Sequence, residues 1–437
     1  MPTSLRGIAE KSAMRKEHRF QNLVNELTPS YLVWCWGKLN KKASPGVDRI
    51  TVRDYGKDLK QNISDLYSRL KRGAYRAKLI VRRFIPKAGG KERPLGLPAT
   101  EDKVLQTGVA KILEAIYEAD FRDCSFGYRP GRSAKDAVKE LSRSLQFGKY
   151  NFIVEADIRG FFDNINHDIL LDMLSKRIDD RKFLGLIRKW LKAGILEKDG
   201  KRVHPVTGTP QGGIVSPVLT NIYLHYALDE WFEDIVRKHM RGQVKLVRYA
   251  DDFVCAFQYE DDAKRLYKVL GKRLGKFGLS LAEEKTQIIR FSRFQREKNK
   301  RFDFLGFEYR WGKDRNRKPL VKLRTSRKKY KASLQSCKEW CRKNRHLPLR
   351  VLISKLNAKL RGYYIYYGII GNYKSLADFF WHVMKILFKW LNRRGQKRSF
   401  NWKGYNEMLK YFGIEKPHIT ERRRPNQLSL FNVLQGA

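Results

Sequence analysis

Cysteine is scarce in this chain of 437 residues: Cys35, Cys124, Cys255, Cys337 and Cys341 are odd in number and widely scattered. That excludes a disulfide framework. Cys337 and Cys341, with His346 following, lack a second ligand pair, and a spacing of four suits one face of a helix, so zinc is not expected. Apolar runs are short as well. None reaches the ~20 residues needed to cross a bilayer, and the N-terminus has no signal-peptide core. The chain is therefore expected to be soluble and intracellular, with no membrane partner. Internal repeats and low-complexity segments are also missing. Acids are the last shortage: 45 Asp and Glu stand against 92 Lys and Arg, a formal net charge of +47. Self-repulsion of that size opposes compaction and is usually tolerated because a polyanion neutralises it. An anionic membrane would call for one polybasic cluster or an amphipathic anchor. Here basic residues run through every segment, which favours nucleic acid.

What is present argues for a folded body. Apolar residues make up 42% of the chain, with 9 Trp, 21 Tyr and 24 Phe, ample for a packed core rather than a disordered basic tail. The length predicts two or three domains. Residues 1–80 alternate basic helical stretches with a turn at Ser44-Pro45-Gly46-Val47-Asp48. From 81 to 310, strands and helices interleave between Gly and Pro punctuation, an α/β or α+β pattern. Lys313 to Lys318 reads as a polar hairpin tip and a domain boundary. Beyond it Leu352, Leu356, Leu360, Tyr363, Tyr364 and Tyr367 recur at helical spacing, as do Leu376, Phe379, Phe380, Val383, Leu387, Trp390 and Leu391. These stripes read as the inner faces of a small bundle. Lys385, Lys389, Arg393 and Arg394 fall on its outer faces, where the net charge favours a nucleic-acid surface over a merely solvated one.

The most chemical stretch is Lys245 to Phe257. Apolar, β-branched and aromatic residues favour a strand on each side of Asp251-Asp252, and the acids fall where a tight turn would go. Adjacent carboxylates repel unless a cation sits between them, so the pair reads as a divalent-metal site on a hairpin tip. Tyr150 to Ile158 reads as a second buried strand ending in Asp157. If the strands are neighbours, Asp157, Asp251 and Asp252 converge. Oxygen-only donors suit Mg²⁺, and two such ions about 3.5–4 Å apart would bridge a triphosphate and an attacking hydroxyl. The alternative for Asp157 alone is a strand-end cap.

Tyr249-Ala250-Asp251-Asp252 resembles the catalytic box of reverse transcriptases, and its neighbours resemble the ordered blocks of the bacterial group II intron branch. These are Ile85 to Pro98, Ser125 to Ser133, the Asp157 block, Gly208 to Pro217, Leu279 to Thr286 and Phe302 to Phe307. Leu360-Arg361-Gly362-Tyr363-Tyr364 is similar to the maturase (X) domain. The resemblance spans roughly residues 40 to 415. It implies an α+β right-hand polymerase: an N-terminal extension and start of fingers over 1–80, and fingers and palm with an antiparallel sheet over 81–310. An α-helical thumb or maturase domain follows over 311–415, with a tail over 416–437. It also implies RNA-directed DNA synthesis by a group II intron-encoded, endonuclease-lacking protein. Intron RNA, target DNA and dNTPs would be its partners and two Mg²⁺ its cofactor, in a bacterial, nucleoid-associated setting. A host-recruited transcriptase for DNA repair or phage defence is the alternative, as is a maturase that binds RNA without polymerising.

Carried over by position, Asp157 and Asp251 become the principal metal ligands, with Asp252 supporting and Ile158 in the same ligand set. Lys87 and Arg93 match the residues that hold the triphosphate, where charge-assisted bonds to phosphate are apt. Phe162 corresponds to the ring that excludes a ribose 2′-hydroxyl by bulk; core packing is its alternative, and Phe161 is the other candidate gate. Gln211 lies in a turn whose glycines permit close backbone approach to a nucleotide. Lys285 matches a lysine that protonates departing pyrophosphate, with a plain salt bridge as its alternative. Arg129, Arg132, Arg361, Lys385 and Lys389 are the expected RNA contacts. Many relatives continue into a Cys/His-rich nuclease, and no such cluster precedes Ala437, so the expected primer is a 3′-hydroxyl at a replication fork. In the tail, Gln427, Leu428, Leu430 and Phe431 resemble the peptide by which bacterial replication proteins dock on the sliding clamp. A tail folded back on the thumb is the other reading.

Overall fold

The computed structural model describes residues 2–86, 92–197, 199–210, 212–294 and 300–421. The chain divides into two compact units, Met1–Arg290 and Phe291–Ala437.

The first unit contains eight described strands: β1 (Ile80–Pro86), β2 (Glu92–Leu97), β3 (Phe152–Ala156), β4 (Ile195–Leu196), β5 (Arg202–Val203), β6 (Val244–Tyr249), β7 (Asp252–Phe257) and β8 (Gln287–Arg290). They form two sheets, ordered β2-β1-β4-β5 and β6-β7-β3-β8. In the second sheet every neighbouring pair is antiparallel. β7 is buried from Phe253 to Phe257, and that near-continuous apolar run is what makes it an inner strand. Helices Ala134–Phe147 and Glu260–Gly275 pack on this sheet, and other helices build the core beside it. Thr100–Tyr117 is buried along almost its whole length, and Arg181–Leu191 turns Phe183, Leu186, Ile187, Trp190 and Leu191 inward. That spacing of three and one is one face of an amphipathic helix. Local signals start the helices where the sequence implies: Ser133 and Asp136 form a reciprocal cap on Ala134–Phe147, and the Asp180 carboxylate accepts from the Phe183 N–H.

The second unit begins with β9 (Phe302–Phe304), β10 (Phe307–Lys313) and β11 (Pro319–Thr325), a three-stranded antiparallel sheet. Lys313 pairs with Pro319, so the polar hairpin tip is where it was expected. The division between compact units falls after Arg290. Its physical reason is that, among the described residues, β9, β10 and β11 pair only with one another. Among the described residues four helices follow, Arg327–Asn344, Leu349–Tyr367, Tyr373–Leu391 and Trp402–Tyr411. Leu352, Leu356, Leu360, Tyr364 and Tyr367 are buried, as are Leu376, Phe379, Val383, Leu387 and Leu391. Cys337 and Cys341 lie on the inner face of the first helix as free thiols. Among the described residues no helix is long and apolar enough to cross a membrane.

Candidate active site

The acid pair follows from strand register. β3 pairs with β7 so that Ala156 faces Phe253, and β6 pairs with β7 so that Tyr249 faces Asp252. Asp157 is the residue after β3, and Asp251 occupies the two-residue turn between β6 and β7. Adjacent strand ends therefore bring them together. The turn holds Ala250 at φ +57°, a left-handed conformation that tight hairpins demand and that L side chains seldom adopt.

The electrostatics bear the mark of that proximity. The Asp251 carboxyl is held above its ordinary value, chiefly by burial, with the Asp157 charge pushing the same way and Arg93 pulling it back. A half-buried carboxyl that a neighbouring carboxylate keeps from ionising is relieved by a cation. The donors are hard oxygens, so the residues present fit Mg²⁺. The three acids do not form one tight cluster, however. Asp252 is exposed as the first residue of β7, and among the described residues no three His, Cys, Asp or Glu side chains group as a metal site. The Ile158 side chain is buried at 3% exposure and has no donor atom, which leaves only its carbonyl oxygen as a candidate.

Around the acids, Lys285 Nζ forms an ion pair with Asp157 Oδ2. The segment carrying that lysine is docked by the Ala282 N–H donating to the Asp157 carbonyl at 2.8 Å and by the Ile158–Leu281 bridge. Asp157 raises the Lys285 pKa from its ordinary value, first through this hydrogen bond. Arg93 is exposed on β2, opposite Ile85. Phe161 and Phe162 follow Gly160 (φ +52°) in a single 3₁₀ turn, edge to face at 5.5 Å. Phe161 is 2% exposed and turned toward Tyr223, whereas Phe162 is 8% exposed. Lys87 and Gln211 lie outside the described residues, as do Gln427, Leu428, Leu430 and Phe431.

Expected RNA contacts divide in two. The Arg129 side chain is 3% exposed and bonded to Glu118 and to the carbonyls of Arg122 and Ser125. The correction is that Arg129 braces its own turn, with Nε and Nη2 turned to Glu118 and Nη1 to two backbone carbonyls. Arg132 is part-exposed, paired with Asp123 and lying over the Phe126 ring. Arg361, Lys385 and Lys389 are exposed. Arg361 has Glu415 at 4.0 Å, and the Lys385 ammonium sits 3.4 Å above the Trp381 ring.

Residues that sequence reasoning missed lie behind the turn. Arg248 and Asp229 form a wholly buried ion pair, and Tyr128 holds φ +55° beside it. The legible signal was an arginine inside an apolar run, since a buried charge demands a partner.

An antiparallel sheet that ends in two opposed acids, on a strongly basic chain, defines the palm of a right-hand nucleic-acid polymerase. Residues 85–309 match the reverse transcriptase (RNA-dependent DNA polymerase) family, and the chain belongs to it. Residues 330–408 match the group II intron maturase-specific domain. The chain is 31% identical over 407 residues to the group II intron-encoded protein LtrA of Lactococcus lactis subsp. cremoris, covering 74% of this chain and 66% of that protein. It therefore spans just under two thirds of that relative's length. Protein YkfC of Escherichia coli (strain K12) is 32% identical over 281 residues, 57% of this chain and 74% of that protein. An uncharacterized 91 kDa protein in a cob intron of Schizosaccharomyces pombe is 44% identical over 152 residues, 35% of this chain and 18% of that one.

Proposed function

We propose that this chain is an RNA-directed DNA polymerase of a group II intron that also acts as its maturase, binding intron RNA for splicing and supporting retrohoming. The observation that supports the reading is the register of β3, β6 and β7, which sets Asp157 and Asp251 at adjacent strand ends. Asp157 and Asp251 would hold the divalent cations, with Asp252 and the Ile158 carbonyl in support. A bound Mg²⁺ pair supplies charge stabilisation to the attacking and leaving oxygens of an in-line displacement.

The chain's own side chains do the rest. Arg93, with Lys87, holds the triphosphate of the incoming dNTP by charge-assisted bonds. Phe162 is the better gate of the two rings because Phe161 is turned into the core against Tyr223; a ring under the sugar offers a 2′-hydroxyl no acceptor. Gln211 is assigned to the nucleotide by its place in the glycine-containing sequence block. Lys285, paired with Asp157, keeps a positive charge beside the departing pyrophosphate. The second unit supplies the face for RNA through Arg361, Lys385 and Lys389, with Arg132 as a contact on the first. RNA helices are held mostly through backbone and shape. The tail motif from Gln427 to Phe431 supports a bacterial sliding clamp as a further partner.

Primer extension tests the reading. Purified protein with Mg²⁺, dNTPs and a DNA primer annealed to an RNA template should lengthen the primer. Tight RNA binding without extension would leave a maturase that no longer polymerises.

A further inference from the structure

Beneath the Asp251 turn lies an ion pair from which water is excluded: Arg248 and Asp229 are both 0% exposed. An arginine presents five N–H donors, and here all five meet an acceptor. Nε and one Nη2 hydrogen go to the two Asp229 oxygens at 2.7 and 2.5 Å. The other Nη2 hydrogen goes to Ser125 Oγ at 2.8 Å. The Nη1 hydrogens go to Asn221 Oδ1 at 3.0 Å and to the Ala250 carbonyl at 2.9 Å. Asn221 then donates through its amide to the Gly127 carbonyl.

These bonds lock two turns back to back. The Arg248 N–H donates to the Cys124 carbonyl at 2.7 Å, and the Phe126 N–H to the Arg248 carbonyl at 2.9 Å. A Cβ on Gly127 would stand 2.3 Å from the Ala250 nitrogen, so only glycine fits between the turns. Tyr128 and Ala250, at φ +55° and +57°, hold left-handed conformations that persist only where the surroundings over-determine them. Asp229 reaches Arg248 from a π-helical stretch, His225–Asp229, a widening often found at functional sites.

A buried ion pair is a poor device for stability alone, because apolar residues of similar volume often serve as well. This one directs its bonds at the two turns that frame the acid. We infer that Arg248, with Asp229 and Asn221, is a positioning device that fixes the Asp251 carboxylate and so sets the affinity of the site for its divalent cation. The inference deepens the polymerase reading and rests on it for the use to which the cation is put.

The test compares the full chain with two variants, Arg248→Met/Asp229→Leu and Asn221→Ala. Mn²⁺ binding is followed by electron paramagnetic resonance, Mg²⁺ half-saturation by primer extension, and folding by thermal melting. The site is defined as the Mn²⁺ binding that Asp251→Asn removes. The neutral pair should melt close to the wild type yet bind Mn²⁺ at least about tenfold more weakly and need correspondingly more Mg²⁺, the size of effect seen when residues that orient metal ligands are lost. A folded neutral pair with wild-type Mn²⁺ affinity and Mg²⁺ requirement overturns the inference. Should the neutral pair not fold, Asn221→Ala decides by the same measure: weaker Mn²⁺ binding supports the positioning role and unchanged binding overturns it. If the wild type fails to extend primers while its Mn²⁺ affinity still depends on these residues, the polymerase reading falls and the positioning role stands.

Discussion

Residues 1–290 carry 55 Lys and Arg against 36 Asp and Glu, whereas residues 291–437 carry 37 against 9. The first unit has acids enough to place many of its cations in internal pairs, and it does so at depth. Arg177 meets Asp120, Arg69 meets Glu101, Arg129 meets Glu118 and Arg248 meets Asp229. The second unit has a surplus of 28 cations with no acid of its own to meet. Its interior is instead aromatic and aliphatic, with Tyr363 stacked on Phe379 at 3.7 Å between rows of leucine. Paired charge gives directional bonds that hold catalytic groups in place, and surplus charge on an apolar scaffold gives affinity for phosphate. The division of labour proposed for the chain follows from that contrast.

Breaking the apolar scaffold should have the largest effect. Leu356 is fully buried, and Leu356→Ala should destabilise the second unit by about 2–5 kcal/mol through lost burial and a residual cavity, measured by chemical denaturation. A loss below about 1 kcal/mol, smaller than such truncations cost in a packed core, would mean that charge, not packing, holds that unit together.

The buried charges of the first unit can be sharpened by pH. Burial pushes the Asp102 carboxyl up to about 6 from an ordinary 3.8, against hydrogen bonds from Tyr75 and the Lys78 N–H that pull it down. The native state therefore holds this proton more tightly than the unfolded chain does. Its contribution to stability is present below 3.8 and is lost as pH rises through about 6. Asp102→Asn should remove roughly 2–3 kcal/mol of stability difference between about pH 3.5 and 7, read from denaturation at the two pH values. An unaltered difference would show that Asp102 is not the group responsible.

Gly127→Ala probes the close approach of the two turns. A displacement on the order of 1 Å at reacting groups costs about a hundredfold in rate, so primer extension should fall by roughly that factor with RNA affinity retained. Wild-type extension would show that the turn tolerates the added carbon. The smallest effect belongs to the surface. Lys385→Ala/Lys389→Ala should weaken RNA binding about tenfold or less and make log K roughly 1.5 units less steep against log salt, just under one unit per lysine. A change confined to single RNA sequences would argue for base contacts instead.

Much of the site is legible in local residue patterns. The alternation and β-branching around Asp251 specify two strands with a turn near the acids, which the structure sets one residue earlier, at Ala250 and Asp251, and the apolar run to Ala156 delivers Asp157. Helical spacing marks the inner faces of the second unit, including Cys337 and Cys341. What escapes such patterns depends on partners far away in the chain. Arg248 meets Asp229, Asn221 and Ser125 across 19, 27 and 123 residues, and no local pattern states which acid a buried arginine will find. Arg129 misleads for a related reason: a basic residue in a basic chain looks like a nucleic-acid contact until Glu118 and two carbonyls are seen to occupy it.

The central claim is that Asp157 and Asp251 do the chemistry while the second unit holds the RNA. Asp157→Asn, assayed at one salt concentration for both primer extension and RNA affinity, tests it most directly. Loss of several kcal/mol of charge stabilisation should cut extension by on the order of a thousandfold and leave RNA affinity within about twofold of wild type. Full extension by the variant, or a parallel collapse of RNA binding, would contradict it.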